Sequence, residues 1–108
     1  MTPDAAAKTL FFTSYTGLKL PLRLIGPLDP DNMDNRNTFL RAYFDETDRL
    51  IGFDKLVYGD IHMSHRYVYH PSGALKQAQI IVPGDDLSDI WFDEQGQRIS
   101  EEHTSLDL

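Results

Sequence analysis

Three stretches of this chain follow one plan: Tyr43-Phe44-Asp45-Glu46-Thr47-Asp48-Arg49-Leu50, Tyr67-Val68-Tyr69-His70-Pro71-Ser72-Gly73-Ala74-Leu75 and Trp91-Phe92-Asp93-Glu94-Gln95-Gly96-Gln97-Arg98. Each reads as an aromatic strand end, a tight polar turn and the start of a returning strand, so the carboxy-terminal two thirds is expected to be a run of β-hairpins. Turn chemistry also marks Gly59-Asp60 and Pro83-Gly84-Asp85-Asp86. The strands expected between these signals are 38–45, 49–58, 61–70, 74–82, 88–92 and 97–100. Links this short make neighbouring strands antiparallel.

Upstream, residues 9–13 are β-branched and aromatic, residues 14–17 supply a turn, and Leu18, Leu20, Leu22 and Leu24 alternate strictly. This predicts an amino-terminal hairpin over 9–25 with one leucine-lined face. Pro21 has no N–H for a ladder, which places that second strand at a sheet edge, and Gly26-Pro27 is expected to end it. Asp29 before Pro30 predicts a capped helical turn or two within 30–37. The expected fold is mainly β: one domain over 1–108, built on a single antiparallel meander sheet of about six to eight strands. It is strongly twisted or curved, with at most one short helix near 30–37, the meander over 38–100 and a frayed acidic tail over 101–108.

Alternation assigns faces. In 61–70 the positions Ile61, Met63, His65, Tyr67 and Tyr69 form the core candidate, opposite His62, Ser64, Arg66, Val68 and His70. In 38–45 both faces carry bulk, Phe39 and Tyr43 against Leu40, Ala42 and Phe44, so this strand is expected to be central and covered on both sides. A second subunit is one such cover, which makes self-association as a homodimer an expectation.

The unit of aromatic, acid, turn, glycine, small or basic residue and leucine over roughly Ala42 to Ile99 resembles the YD-type units of RHS repeat proteins. The resemblance implies hairpins stacked side by side into a curved sheet. Three positions depart from it: Asp48 stands where glycine is expected, His70 where aspartate is expected, and Arg98 where leucine is expected. The layout is also similar to small uncharacterised bacterial proteins, which implies a bacterial source.

Charge narrows the function classes. Seventeen acidic against ten basic side chains give a net charge of −7, and the basic residues Arg41, Arg49, Lys55, Arg66 and Lys76 are dispersed among acids. Phosphate backbones and anionic membrane surfaces are repelled by such a chain, so neither direct nucleic-acid binding nor membrane binding is expected. The chain has no cysteine, which removes thiolate catalysis and cysteine zinc sites. The amino terminus lacks the pattern of a signal peptide and no apolar run is long enough to span a bilayer, so a cytoplasmic location is expected.

Little in the sequence points to catalysis. His62, His65 and His70 invite a metal reading, but positions three apart on a strand face oppositely, and His62 and His70 lie about 26 Å apart along an extended chain. No metal and no cofactor is therefore expected, with His65 in the core and His62 and His70 at the surface. Asp29, Asp31, Asp34, Asn32, Asn35 and Asn37 are rich in oxygen, but the spacing of a calcium loop fails at Asp34 and Leu40. Asp54, alone among the acids, falls in mid-strand, and it is expected on the exposed face. No serine sits in a nucleophile elbow and no glycine-rich phosphate loop appears, which leaves no catalytic residue to name.

What remains is a small non-catalytic protein-interaction or regulatory module, binding a protein partner or itself through an aromatic face or an exposed edge. The residues expected to form a ligand or partner face are His65, Tyr67, Tyr69, Tyr43 and Trp91. Two alternatives are an acidic decoy or inhibitor of a basic nucleic-acid-binding protein and a small-molecule binder or hydrolase that uses the same aromatic face.

Overall fold

The computed structural model describes residues 5–33 and 36–105. The turn signals divide them into eight strands: β1 (Lys8–Thr16), β2 (Arg23–Leu28), β3 (Thr38–Phe44), β4 (Leu50–Val57), β5 (Asp60–Tyr69), β6 (Leu75–Val82), β7 (Asp86–Phe92) and β8 (Arg98–Ser105). They form one antiparallel sheet in the order β2-β1-β3-β4-β5-β6-β7-β8, a meander from β3 onward. β2 and β8 are its edges, and the sheet does not close into a barrel. No helix among the described residues is long and apolar enough to cross a membrane.

The three repeated stretches fold into three copies of one turn. In each, the first turn residue donates its N–H to the carbonyl four residues on: Asp45 to Arg49 (3.0 Å), His70 to Ala74 (2.7 Å) and Asp93 to Gln97 (2.9 Å). The residue three positions on donates back, from Asp48 to Asp45, from Gly73 to His70 and from Gly96 to Asp93. That residue has positive φ in all three copies, 63° at Asp48, 95° at Gly73 and 85° at Gly96, the conformation glycine adopts without strain. Each register then slips by one residue, at Tyr43/Phe44, Val68/Tyr69 and Trp91/Phe92, leaving Ile51, Lys76 and Ile99 as the extra residues. Bulges add local twist, and three at the same end of the sheet curl that end.

Alternation and register define two faces. Leu40, Ala42, Phe53, Tyr67, Leu75 and Ala78 are buried together on the inner face, with Phe12, Phe44, Leu50, Tyr69 and Phe92 packed against them. Full burial of a side chain the size of Phe53 stabilises the fold by about 2–3 kcal/mol. β3 is interior and covered on both faces, as its sequence requires: Leu40 and Ala42 are buried on one side and Tyr43 on the other.

Four expectations need correction. The strand expected from Leu18 starts only at Arg23, and Pro21 lies in the loop before it. Residues 18–21 form a run of bends, with a cis peptide between Leu20 and Pro21, and the leucines after Leu18 still turn to the inner face. Leu20, Leu22 and Leu24 pack on the core, whereas Leu18 is fully exposed. β2 does form the edge, but it runs through Gly26-Pro27 to Leu28. The helical expectation reduces to a 3-10 turn at Pro30–Asn32, where the Asp29 carboxylate accepts the Asp31 N–H at 3.0 Å. Asp34 and Asn35, part of that helical stretch and of the oxygen-rich one, lie outside the described residues. The tail expected to fray is strand from Glu101 to Ser105, because β7 offers a ladder edge over its whole length; residues 106–108 are outside the described residues.

Candidate functional site

The residues expected to share one partner face are divided between two. His65, Tyr67 and Tyr69 alternate along the inner face of β5, whereas Tyr43 and Trp91 follow register partners to the outer face. His65 and Tyr67 are each only 3% exposed beneath the β1–β2 hairpin. The His65 ring stacks on Phe53 with centroids 4.6 Å apart, and Tyr15 of β1 approaches Phe53 from the hairpin.

A hydrogen-bond chain ties hairpin to sheet. The Leu22 N–H donates to the Tyr67 hydroxyl (3.3 Å), which lies 2.7 Å from His65 Nδ1. Burial, and secondarily the charge of Arg66, lower the His65 pKa to about 4, so the ring is neutral at physiological pH. Burial pushes the Tyr67 hydroxyl up and raises Tyr69 to about 12, so both stay protonated. The Tyr69 hydroxyl donates to the Leu50 carbonyl, and the Arg49 guanidinium lies 4.5 Å from the centre of its ring. The Leu22–Tyr67 bond latches the hairpin onto the sheet, and only 3% of His65 is left exposed beneath it.

The outer face holds a cluster centred on Asp54. Asp54 is fully buried, against the expected exposed position. Its Oδ2 accepts from the Tyr43 hydroxyl (2.5 Å) and Arg41 (3.3 Å), and its Oδ1 accepts from Ser64 (2.6 Å) and Arg66 (3.0 Å). Register explains the convergence, since Arg41, Asp54 and Ser64 are successive cross-strand partners. Gly52 makes room for the fourth member: a Cβ there would lie 2.5 Å from the His65 carbonyl and 3.0 Å from Arg66 Cδ. Arg66 therefore lies across Gly52, with its guanidinium 5.3 Å from the centre of the Tyr43 ring. Burial alone raises the Asp54 pKa, but hydrogen bonds from Ser64 and Tyr43 and the charge of Arg66 outweigh it, and the net shift is downward. An ionised, saturated carboxylate does not act as a general acid at neutral pH. Its work is to anchor two arginines on an otherwise open face.

The histidines do not converge. His62 is exposed, the His70 ring donates from Nε2 to the Phe92 carbonyl (2.9 Å), and no group of three metal-ligating side chains occurs among the described residues. His70 thus bonds to the neighbouring repeat in place of the two backbone N–H groups that Asp45 and Asp93 each accept in their own turns.

The least finished part of the sheet is its last strand. All eight residues of β8 are exposed, Ile99 by 62%, and among the described residues no strand lies beyond it from Arg98 to Thr104. Glycine and proline are absent from it. The other edge is blunted, because Pro27 lacks an N–H and Gly26 is turned to φ 70°. Sequence reasoning placed this strand at 97–100 and missed its extension to Ser105, because the polar, acidic composition of 101–105 resembles a tail.

A family model described as a family of unknown function, DUF6156, matches residues 4–101. No curated protein and no solved structure matches the chain.

Proposed function

Since the chain belongs to DUF6156, a family of unknown function, we propose on its geometry alone that it is a non-catalytic interaction module, one that adds an extended segment of a protein partner to β8. The observation that carries this reading is the exposed edge of β8 from Arg98 to Thr104, whose outer row of backbone donors and acceptors has no strand partner among the described residues. Such a row is a template for strand addition. The non-catalytic part rests on Asp54 and His65, the buried ionisable groups best suited to chemistry, which are committed to internal bonds.

The edge suits a different chain better than a second copy. Two-fold antiparallel pairing of β8 with another β8, which keeps each face of the sheet continuous, sets either Glu101 against Glu101 or Glu102 against Glu102 in its longest registers. Like charges directly opposite destabilise a pair of strands.

Peptides selected from a random displayed library against the intact chain, then counter-selected on a Glu102→Pro variant, test the reading. The enriched peptides are expected to be extended, β-branched sequences that slow amide exchange at alternate residues of β8. Peptides that bind the proline variant equally well, or protect some other surface, would refute it.

A further inference from the structure

We infer that the strand taken by β8 carries a lysine or arginine directly opposite Glu102. This deepens the strand-addition reading and rests on it. The argument starts from a row of cross-strand partners that crosses the outer face from β3 to β8: Tyr43, Gly52, Arg66, Gln79, Asp89, Glu102. The row ends on two carboxylates placed directly opposite each other, Asp89 on β7 and Glu102 on β8. Directly opposed like charges destabilise a sheet.

Nothing described relieves this pair. Among the described residues Asp89 accepts only from the Gln77 amide (2.9 Å), a neutral donor, and Glu102 makes no ion pair. The basic side chains nearest in sequence are used on the other side of the strand, where Arg98 and His103 both bond Glu101. Arg66 in the same row is two strands from Asp89 and is committed to Asp54. The next position of the row, beyond Glu102, is the place where an added strand would put a side chain on the same face. A cation there meets Glu102 at cross-strand distance and reaches toward Asp89 along the row.

The surrounding field has the same sign. Between Pro83 and Ser105 the chain carries seven acids and Arg98 as its sole lysine or arginine, whereas residues 5–28 carry Lys8, Lys19 and Arg23 and no acid. The edge that is open is thus also the acidic end of the sheet, which speeds encounter with a basic segment and repels a second acidic edge.

The test uses the whole chain and a defined probe: an extended peptide of alternating threonine and valine with one central lysine, compared by fluorescence anisotropy with the same peptide carrying norleucine or glutamate there. The lysine peptide is expected to bind roughly tenfold more tightly than the norleucine peptide, a difference of about 1.4 kcal/mol. In a Glu102→Lys variant with unchanged circular dichroism the preference should pass to the glutamate peptide, and Asp89→Asn should reduce the lysine preference without abolishing binding. Equal binding of lysine and norleucine peptides, or a lysine preference that survives Glu102→Lys, overturns the inference while leaving strand addition intact. If none of the three peptides slows amide exchange in β8, strand addition itself falls and this inference falls with it.

Discussion

At the scale of single residues, the two buried ionisable groups act in different pH windows. The folded-state pKa of His65, about 4, lies below its ordinary value of 6.5, so folding favours the neutral ring. The stabilisation is complete above pH 6.5 and is lost as the pH falls toward 4, by an amount on the order of 3 kcal/mol. Asp54 is also shifted down, but from an ordinary value of 3.8, so its contribution is lost only below that. Urea unfolding of the wild type is therefore expected to show a falling midpoint between pH 6.5 and 4, and His65→Phe should flatten the curve in that interval alone. An unchanged slope in the variant would remove His65 as the titrating group. The alternation in 61–70 already placed His65 and Tyr67 in the core. It did not reveal the Asp54 cluster, because the partners come from β3 and β5 and depend on a glycine in β4 whose role is visible only once the register is known. Arg66→Met is expected to cost about 3 kcal/mol or more, since it leaves a buried carboxylate short of a partner. A cost below 1 kcal/mol would mean that Arg41 suffices.

At the scale of elements, the turns explain why the fold was readable. Asp45 and Asp93 accept two backbone N–H groups each in turns of the same hydrogen-bond pattern, and this local chemistry needs no distant partner. Hydrogen bonds from Thr47 and the Arg49 backbone hold Asp45 down to about 2. The copies also make a prediction about their differences. Asp48 occupies at φ 63° the position filled by Gly73 and Gly96 in the other two turns. Asp48→Gly should therefore stabilise by roughly 0.5–1 kcal/mol, because the exposed Lys8 ion pair it removes is worth little. Gly96→Ala should destabilise by about 1 kcal/mol. Equilibrium denaturation of the two variants checks both signs, and a destabilised Asp48→Gly would show that the Lys8 contact matters more than backbone strain. The β1–β2 link was harder to read, since leucines two apart in a bent loop that packs on a core mimic the alternation of a half-buried strand; the difference lies in whether the backbone has a ladder partner.

At the scale of the whole molecule, the sheet spends its apolar surface unevenly. The inner face is closed by the folded-over hairpin, the outer face is held by a charge cluster, and one edge is blunted by Gly26 and Pro27. The opposite edge is left open and acidic. Composition gave the acid surplus but not its location, because position at an edge is a property of topology. Charges on β8 that discourage pairing with a copy leave it available to a basic strand, so chain concentration alone should not drive assembly through this edge. Sedimentation equilibrium at low ionic strength is expected to show no β8-dependent association, and a dimer dissolved by Glu102→Pro would contradict that.

The openness of β8 is tested most directly by residue-resolved amide hydrogen exchange from Arg98 to Ser105 in the isolated chain and with the lysine-bearing peptide. Every second amide, those pointing away from β7, should exchange at close to the solvent rate in the isolated chain and slow when the peptide is added. Uniform protection of all the β8 amides before any peptide is present, or no change on adding it, would contradict the account.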